Sequence, residues 1–164
     1  MNGLAICAGY GGLELAASRV FASYRTVCYV EGEAYAAARI VERIQGGLMD
    51  EAPIWSDVRS FPCGPFVGRV DILMGGFPCQ PHSKAGNLRA LDDPRNLWPS
   101  IVELIRVLRP PLLFFENVSN IVNTALSTIL IDLTSLRYDA TWEIVRATDC
   151  LLYTSPSPRD ISRS

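Results

Sequence analysis

Short apolar runs recur along this chain, and each breaks into a loop before a segment of helical periodicity. Residues 4–8, 26–30, 70–74 and 112–115 are such runs, too short for helices and rich in Val, Ile, Leu and Phe, so they read as buried strands. Between them apolar residues return at helical spacing: Leu13, Ala16, Ala17, Val20 and Phe21, then Ala34, Ala37, Ala38, Val41 and Ile44, then Leu97, Ile101, Leu104, Ile105 and Leu108. Gly46-Gly47 stops the second of these helices and Arg109-Pro110-Pro111 the third. Residues 53–58 hold a brief third strand, residues 118–136 a loop plus helix, and residues 141–145 a sixth strand of weak alternation. Strands that alternate with helices are joined by right-handed crossovers and lie parallel. The expected architecture is α/β, a mostly parallel Rossmann-like sheet with helices on both faces.

Composition bounds what such a fold can be. At 164 residues, 49% hydrophobic and 20% charged, the chain has enough apolar surface for one domain with a core and is not a disordered protein. No apolar run is long enough for a membrane span, and the start Met1-Asn2-Gly3-Leu4 lacks the basic region of a signal peptide. The cysteines Cys7, Cys28, Cys63, Cys79 and Cys150 are scattered, with no C-x-x-C pair and a single histidine, His82, so no metal set is expected. A reduced, cytoplasmic setting and a monomer fit this usage. The net charge of −2 does not announce a nucleic-acid binder, so any such reading must rest on motifs. Residues 1–149 form the expected domain. Residues 150–164 are polar and interrupted by Ser-Pro pairs, and they read as a disordered or foreign tail.

In an open parallel sheet, ligands bind where the strands end. The first strand runs into Gly9-Tyr10-Gly11-Gly12, which lets backbone approach a ligand at a helix N-terminus. The turn departs from the dinucleotide G-x-G-x-x-G pattern, and a plain tight turn accounts for it equally well. Glu31 ends the second strand, about twenty residues beyond the glycines, where such folds grip a ribose hydroxyl pair. A solvated loop carboxylate is the bland alternative. The fourth strand leads into Gly75-Gly76-Phe77-Pro78-Cys79-Gln80-Pro81-His82-Ser83. Pro78 fixes its own φ and restrains its neighbour, so Cys79 is a held thiol at the sheet rim, either a nucleophile or a small buried hydrophobe. The loop that follows, through Asn96, is long for a compact domain, as functional or mobile loops are. The fifth strand ends in Glu116-Asn117.

Together these strand-end segments closely resemble the DNA cytosine-5 methyltransferases, over residues 4 to about 148. Cys7-Ala8-Gly9-Tyr10-Gly11-Gly12 resembles the family's first motif, Gly75 to Ser83 its catalytic-loop motif, Asp93-Pro94-Arg95-Asn96-Leu97-Trp98 the next block, and Glu116-Asn117-Val118 its Glu-Asn-Val motif. The resemblance implies S-adenosylmethionine as cofactor, held by Ala8, Gly9, Tyr10, Gly11, Gly12, Glu31, Asp57, Val58, Pro78 and Leu97. Glu31 would hold the ribose and Asp57-Val58 the adenine. It implies Cys79 and Glu116 as catalytic residues, and Gln80, Ser83, Asn117 and Val118 as contacts to a DNA substrate. Cys7 stands where the family often has phenylalanine, and Gly32 where it often has an aromatic residue. The family's arginine-rich motif and target-recognition domain are missing beyond residue 149. The expectation is therefore an N-terminal catalytic part with little activity alone.

The chemistry explains the residue types. Carbon 5 of cytosine is a poor nucleophile. A thiolate adding at carbon 6 breaks the aromaticity and lets carbon 5 attack an electrophilic methyl group, which is covalent catalysis suited to cysteine. Charge then develops at ring nitrogen 3, where a protonated Glu116 would serve, its pKa raised by burial between apolar strands. A target base inside a duplex must be flipped out. Ser83, Lys84, Arg89 and Arg95 either touch phosphates or form an ordinary solvated loop. By analogy the role would be in restriction-modification or in phage DNA protection. Three other readings stay open: an RNA cytosine-5 methyltransferase, a non-catalytic module that binds S-adenosylmethionine or a nucleotide, and, least favoured by the glycine turn, an oxidoreductase.

Overall fold

A computed structural model describes residues 1–78 and 96–146. In chain order the elements are β1 (Asn2–Ile6), α1 (Gly12–Val20), β2 (Arg25–Val30), α2 (Ala34–Gln45), β3 (Ile54–Trp55), β4 (Ile72–Gly75), α3 (Trp98–Leu108), β5 (Leu112–Phe115), α4 (Ile121–Thr124) and α5 (Leu126–Ser135). Two short 3-10 turns, Val58–Ser60 and Gly64–Phe66, lie between β3 and β4. The strands form one sheet in the order β3-β2-β1-β4-β5, and every pair is parallel. The expected α/β sheet is therefore present. The chain leaves β1 for one side of the sheet and returns through β4 on the other, which makes the β1–β4 boundary the switch point of the topology.

Register aligns the strand ends. Ile6 pairs with Val30 and with Gly75, Val30 pairs with Trp55, and Gly75 pairs with Phe115. These five residues form one row across the sheet, so all five loops leave from the same level. Gly75 is glycine for a reason of space: a Cβ there would collide with the carbonyl oxygen of Ile6.

Side chains alternate between the two faces, as a pleat requires. Leu4, Ile6, Cys28, Val30 and Leu73 point to one face, where Ile101, Leu104, Ile105 and Leu108 of α3 and Ile129 and Leu133 of α5 cover them. On the other face Ala5 and Tyr29 pack on Ile40 of α2, and Ile72 and Met74 on Ala17 of α1. Helices thus cover both faces, but not evenly. Leu112 and Phe114 pair with Ile72 and Met74 and share their face, yet they are 44% and 54% exposed. Among the described residues no helix lies over β5 on that side.

Two readings of local structure need correction. The third strand is only two residues long, because Asp57 leaves the strand to cap the 3-10 turn, its Oδ1 accepting from the Arg59 amide. Residues 141–146 form no strand and are exposed throughout, Trp142, Ile144 and Val145 at 55%, 50% and 64%. A strand exists through its ladder partner, and weak alternation does not supply one. Cys79, Gln80, Ser83 and the tail from residue 150 lie outside the described residues.

The two faces of β4 and β5 set an expected contrast. Gly75→Ala forces strands β1 and β4 apart and costs about 3 kcal/mol or more, as overpacking of a tight core does at its upper end. Phe114→Ala, on the open face, costs about 1 kcal/mol or less. Urea unfolding of the two variants checks both; equal destabilisation would contradict the packing described.

Candidate functional site

The loop after β1 carries the chain through a left-handed turn. Cys7, Gly9 and Gly11 have φ of 48°, 55° and 76°. A non-glycine residue there is strained by about 1–2 kcal/mol, and such strain gathers at functional loops. The turn is tied on three sides. The Gly11 amide donates to the Ala8 carbonyl at 2.9 Å, the Gly9 amide to Glu31 Oε2 at 2.7 Å, and Arg43 of α2 donates to the Tyr10 carbonyl. A Cβ at Gly9 or Gly12 would meet nothing within 4 Å, so backbone here borders open space.

Glu31 is the hub of this half. It is buried, and its second oxygen, Oε1, accepts from the Glu33 amide at 2.8 Å. Glu33 in turn caps α2, accepting from the amides of Tyr35 and Ala36. Each oxygen of Glu31 keeps a further lone pair for a hydroxyl donor. Ala8 is half-buried against the α2 side of the core, whereas Tyr10 is 54% exposed beside the turn. Asp57 stands one strand further out, paired with Arg59 at 3.3 Å, and Val58 is buried beneath it. Gly32 stands where relatives are expected to carry an aromatic residue, and a Cβ there would lie 3.1 Å from the Ser56 carbonyl oxygen, a tight contact that this backbone would have to yield to by a few tenths of an ångström.

The other half is built on β4 and β5. Glu116 Oε2 lies 3.0 Å from where a Gly76 Cβ would be, so this carboxyl group rests against the backbone three residues before Cys79. Asn117 bridges the two loops: its Nδ2 donates to the Phe77 carbonyl at 2.7 Å while its Oδ1 accepts from the Val118 amide at 2.9 Å. Phe77, Trp98 and Phe115 pack with ring centroids 5.3 to 5.9 Å apart, and Trp98 Nε1 donates to Asp132 Oδ2 at 2.8 Å. Both flanks of residues 79–95 therefore share one aromatic cluster. Leu97 packs partly against the core, while Pro78 and Val118 are exposed. Glu116 is exposed as well, so the burial expected of it is not found.

The thiols differ from what a nucleophile needs. Burial pushes Cys7 up to about 11, helped by the charge of Glu31, and burial also pushes Cys28 to about 11 and raises Cys63. None of these three is a thiolate at neutral pH. Among the described residues no three or more His, Cys, Asp or Glu side chains cluster as ligands for a metal ion, and no helix is long and apolar enough to cross a membrane.

Sequence reasoning placed Gly9, Glu31, Asp57, Glu116 and Asn117 on loops of one sheet edge, and the structure brings them there. It missed Arg43 and Glu33, whose roles depend on which face of α2 meets the glycine turn. Asn117, expected at the substrate, also makes a bracing bond to Phe77 that the sequence did not show.

Comparison with known proteins gives this edge its family. The model of the C-5 cytosine-specific DNA methylases matches residues 1–152. The type II methyltransferase M.NgoMIV of Neisseria gonorrhoeae is 31% identical over 150 residues, covering 89% of this chain and 46% of its own length. The type II methyltransferase M.NaeI of Lentzea aerocolonigenes is 31% identical over 148 residues, covering 88% and 35%. The chain thus spans less than half the length of these relatives. Among solved structures, Dnmt2 of S. pombe superposes with a TM-score of 0.63 at 16% identity, covering 82% of this chain and 42% of its own, a likeness of fold. S-adenosylmethionine is the cofactor that goes with this family, and the free lone pairs of Glu31 beside an open glycine turn fit its ribose and backbone needs. On the match over residues 1–152, the chain belongs to the C-5 cytosine-specific DNA methylase family.

Proposed function

We propose that this chain is the cofactor-binding and nucleophile-bearing part of a DNA cytosine-5 methyltransferase. The observation that carries the reading is the row of strand ends: Glu31 is bonded to Gly9 on one side of the switch point, and Glu116 rests on Gly76 on the other. Two half-sites on neighbouring strand ends suit a reaction between a cofactor and a base.

In this reading Glu31 takes the ribose hydroxyls, Asp57 and Val58 the adenine, and the backbone of Gly9 to Gly12 the remainder, with Ala8, Tyr10, Pro78 and Leu97 around it. S-adenosylmethionine, when bound, supplies an electrophilic methyl group. Cys79 adds as thiolate to carbon 6 of a flipped-out cytosine, forming a carbon–sulfur bond and raising electron density at carbon 5. Glu116 donates a proton or hydrogen bond to nitrogen 3 as charge develops there. Once carbon 5 is methylated, its proton passes to water or another base and the thiolate is expelled. Asn117 holds the Phe77 carbonyl and so positions the loop that bears Cys79, while Gln80, Ser83 and Val118 face the substrate. The likeness of residues 75–83 to the family's catalytic-loop motif supports Cys79 as the reacting sulfur. The type II relatives support a role in restriction-modification, with protection of a phage genome as the alternative by analogy. A monomer in the cytoplasm completes the proposal.

The 164-residue chain is proposed to bind cofactor but to turn over poorly, because Glu116 is exposed and the half-site for the base is not enclosed among the described residues. Calorimetry with S-adenosylmethionine should show binding that Glu31→Ala weakens about 10- to 100-fold, the worth of hydrogen bonds to a charged group. Tritiated methyl transfer to mixed-sequence DNA should be slow, and vigorous incorporation would overturn that part. With excess protein and 5-fluorocytosine DNA, a denaturation-stable adduct should form slowly and vanish in Cys79→Ser while cofactor binding persists. An adduct in Cys79→Ser would refute the assignment of the nucleophile.

Asn117→Asp keeps the acceptor for Val118 but turns the donor to Phe77 into a carboxylate. It should cost about 1–3 kcal/mol of stability and slow adduct formation without weakening cofactor binding. Unchanged unfolding in urea would contradict the bracing role.

A further inference from the structure

Between the first turns of α1, β2 and the loop after α2, the fold contains a second polar site. Glu14, in the first turn of α1, is 4% exposed, and among the described residues neither of its carboxylate oxygens has a hydrogen-bond partner. It borders a cavity of about 170 Å³ whose other polar lining is Ser18, Thr26, Tyr29 and Asp50. These neighbours are held in place by one another. The Thr26 amide donates to Asp50 Oδ2 at 2.7 Å, and the Tyr29 hydroxyl donates to the Asp50 carbonyl at 3.1 Å. The Tyr24 hydroxyl is 3.1 Å from Thr26 Oγ1, and Met49 lies against Gly11, close to Glu14. Among the described residues no lysine, arginine or histidine lines the cavity.

A buried carboxylate without a partner is among the costliest groups a protein can keep. Here it borders space that a donor or cation can enter, and every polar side chain around that space presents oxygen. Oxygen-only lining suits a hard cation. Among the described residues no third acidic group, histidine or cysteine joins the set, as a divalent ion would need. The volume leaves room for an ion that keeps some of its water. We propose that the cavity bordered by Glu14, Thr26, Tyr29 and Asp50 binds a small monovalent cation, sodium, potassium or ammonium, against the root of the glycine turn. The site is independent of the methyl-transfer reading and holds whatever the reaction.

The linkage has a definite sign. Desolvation raises Glu14 from 4.5 to about 7. The groups facing it are Asp50 from the loop after α2, Tyr29 of β2, and Tyr24 from the turn before β2, and the two tyrosines are themselves raised by burial. A group with a raised folded pKa contributes stability that is full below its unfolded value and is lost as pH rises through its folded value. Without a small cation, stability should therefore fall as pH rises through about 7. A bound cation restores part of it on the alkaline side, where it no longer competes with a proton.

The test compares melting temperatures in sodium, potassium or ammonium chloride with those in choline chloride at equal ionic strength, near pH 8.5 and near pH 5.5. The wild-type chain should melt about 3–5 °C higher in at least one small-cation salt at the higher pH and equally in all salts at the lower. Glu14→Gln should lose both the salt difference and the alkaline fall. Should Glu14→Gln not fold, sodium-23 relaxation on the wild-type chain decides: excess relaxation near pH 8.5 that potassium or ammonium displaces and that disappears near pH 5.5 supports the site. Equal melting in small-cation and choline salts near pH 8.5, or the same salt response in Glu14→Gln, overturns it. So does the absence of excess relaxation where the variant does not fold.

Discussion

The row of paired residues Trp55, Val30, Ile6, Gly75 and Phe115 is the constraint on which the site depends. Parallel strands give all their C-terminal ends to one edge, but only a level register brings those ends within side-chain reach of one another. The row is kept level by the close approach of β4 to β1, which a side chain at position 75 would prevent. From it follow the bond between Glu31 and Gly9, one strand apart, and the seat of Glu116 on Gly76, also one strand apart. Neither contact uses an ion pair. Both depend on backbone placed by the sheet.

The two halves of the edge are finished to different degrees. Around Glu31 the amides of Gly9 and Glu33 are satisfied, the carboxylate is buried, and Arg43 secures the glycine turn from outside. Such a pocket is preorganised and loses little freedom when a ligand enters. Around Glu116 the bracing is secure, through Asn117 and the aromatic cluster of Phe77, Trp98 and Phe115, but the carboxyl group itself faces solvent. On the reading proposed, the cofactor half is ready, and the base half, open at Glu116, needs enclosure to exclude water.

Much of this was legible in the residues. Four strands and three long helices follow from apolar periodicity, because each buries one face against the same core. The place of Glu31 at the sheet edge could be read because it ends the second strand, about twenty residues beyond the glycines, but its burial and its bond to Gly9 could not. What periodicity could not show was depth and partnership. Residues 141–145 alternate like a strand, yet no ladder receives them. Glu116 follows four apolar residues, yet the strand before it leaves one face open at Leu112 and Phe114. Glu14 reads as an ordinary first-turn acid, favourable to the helix dipole, and only the three-dimensional structure shows it buried beside Tyr29 and Asp50.

The central claim is that the ligand edge is the row of strand ends, with S-adenosylmethionine on the side of Glu31. Amide chemical shifts, followed by NMR as this cofactor is added to the chain, test it most directly. The account predicts the largest changes at Gly9, Gly11, Glu33 and Arg59, whose amides border the glycine turn or the carboxylates of Glu31 and Asp57. The amides of Asn2, Arg25 and Asp71, at the opposite edge, should stay still. Saturable changes centred on that opposite edge, with Gly9 and Glu33 unmoved, would contradict it.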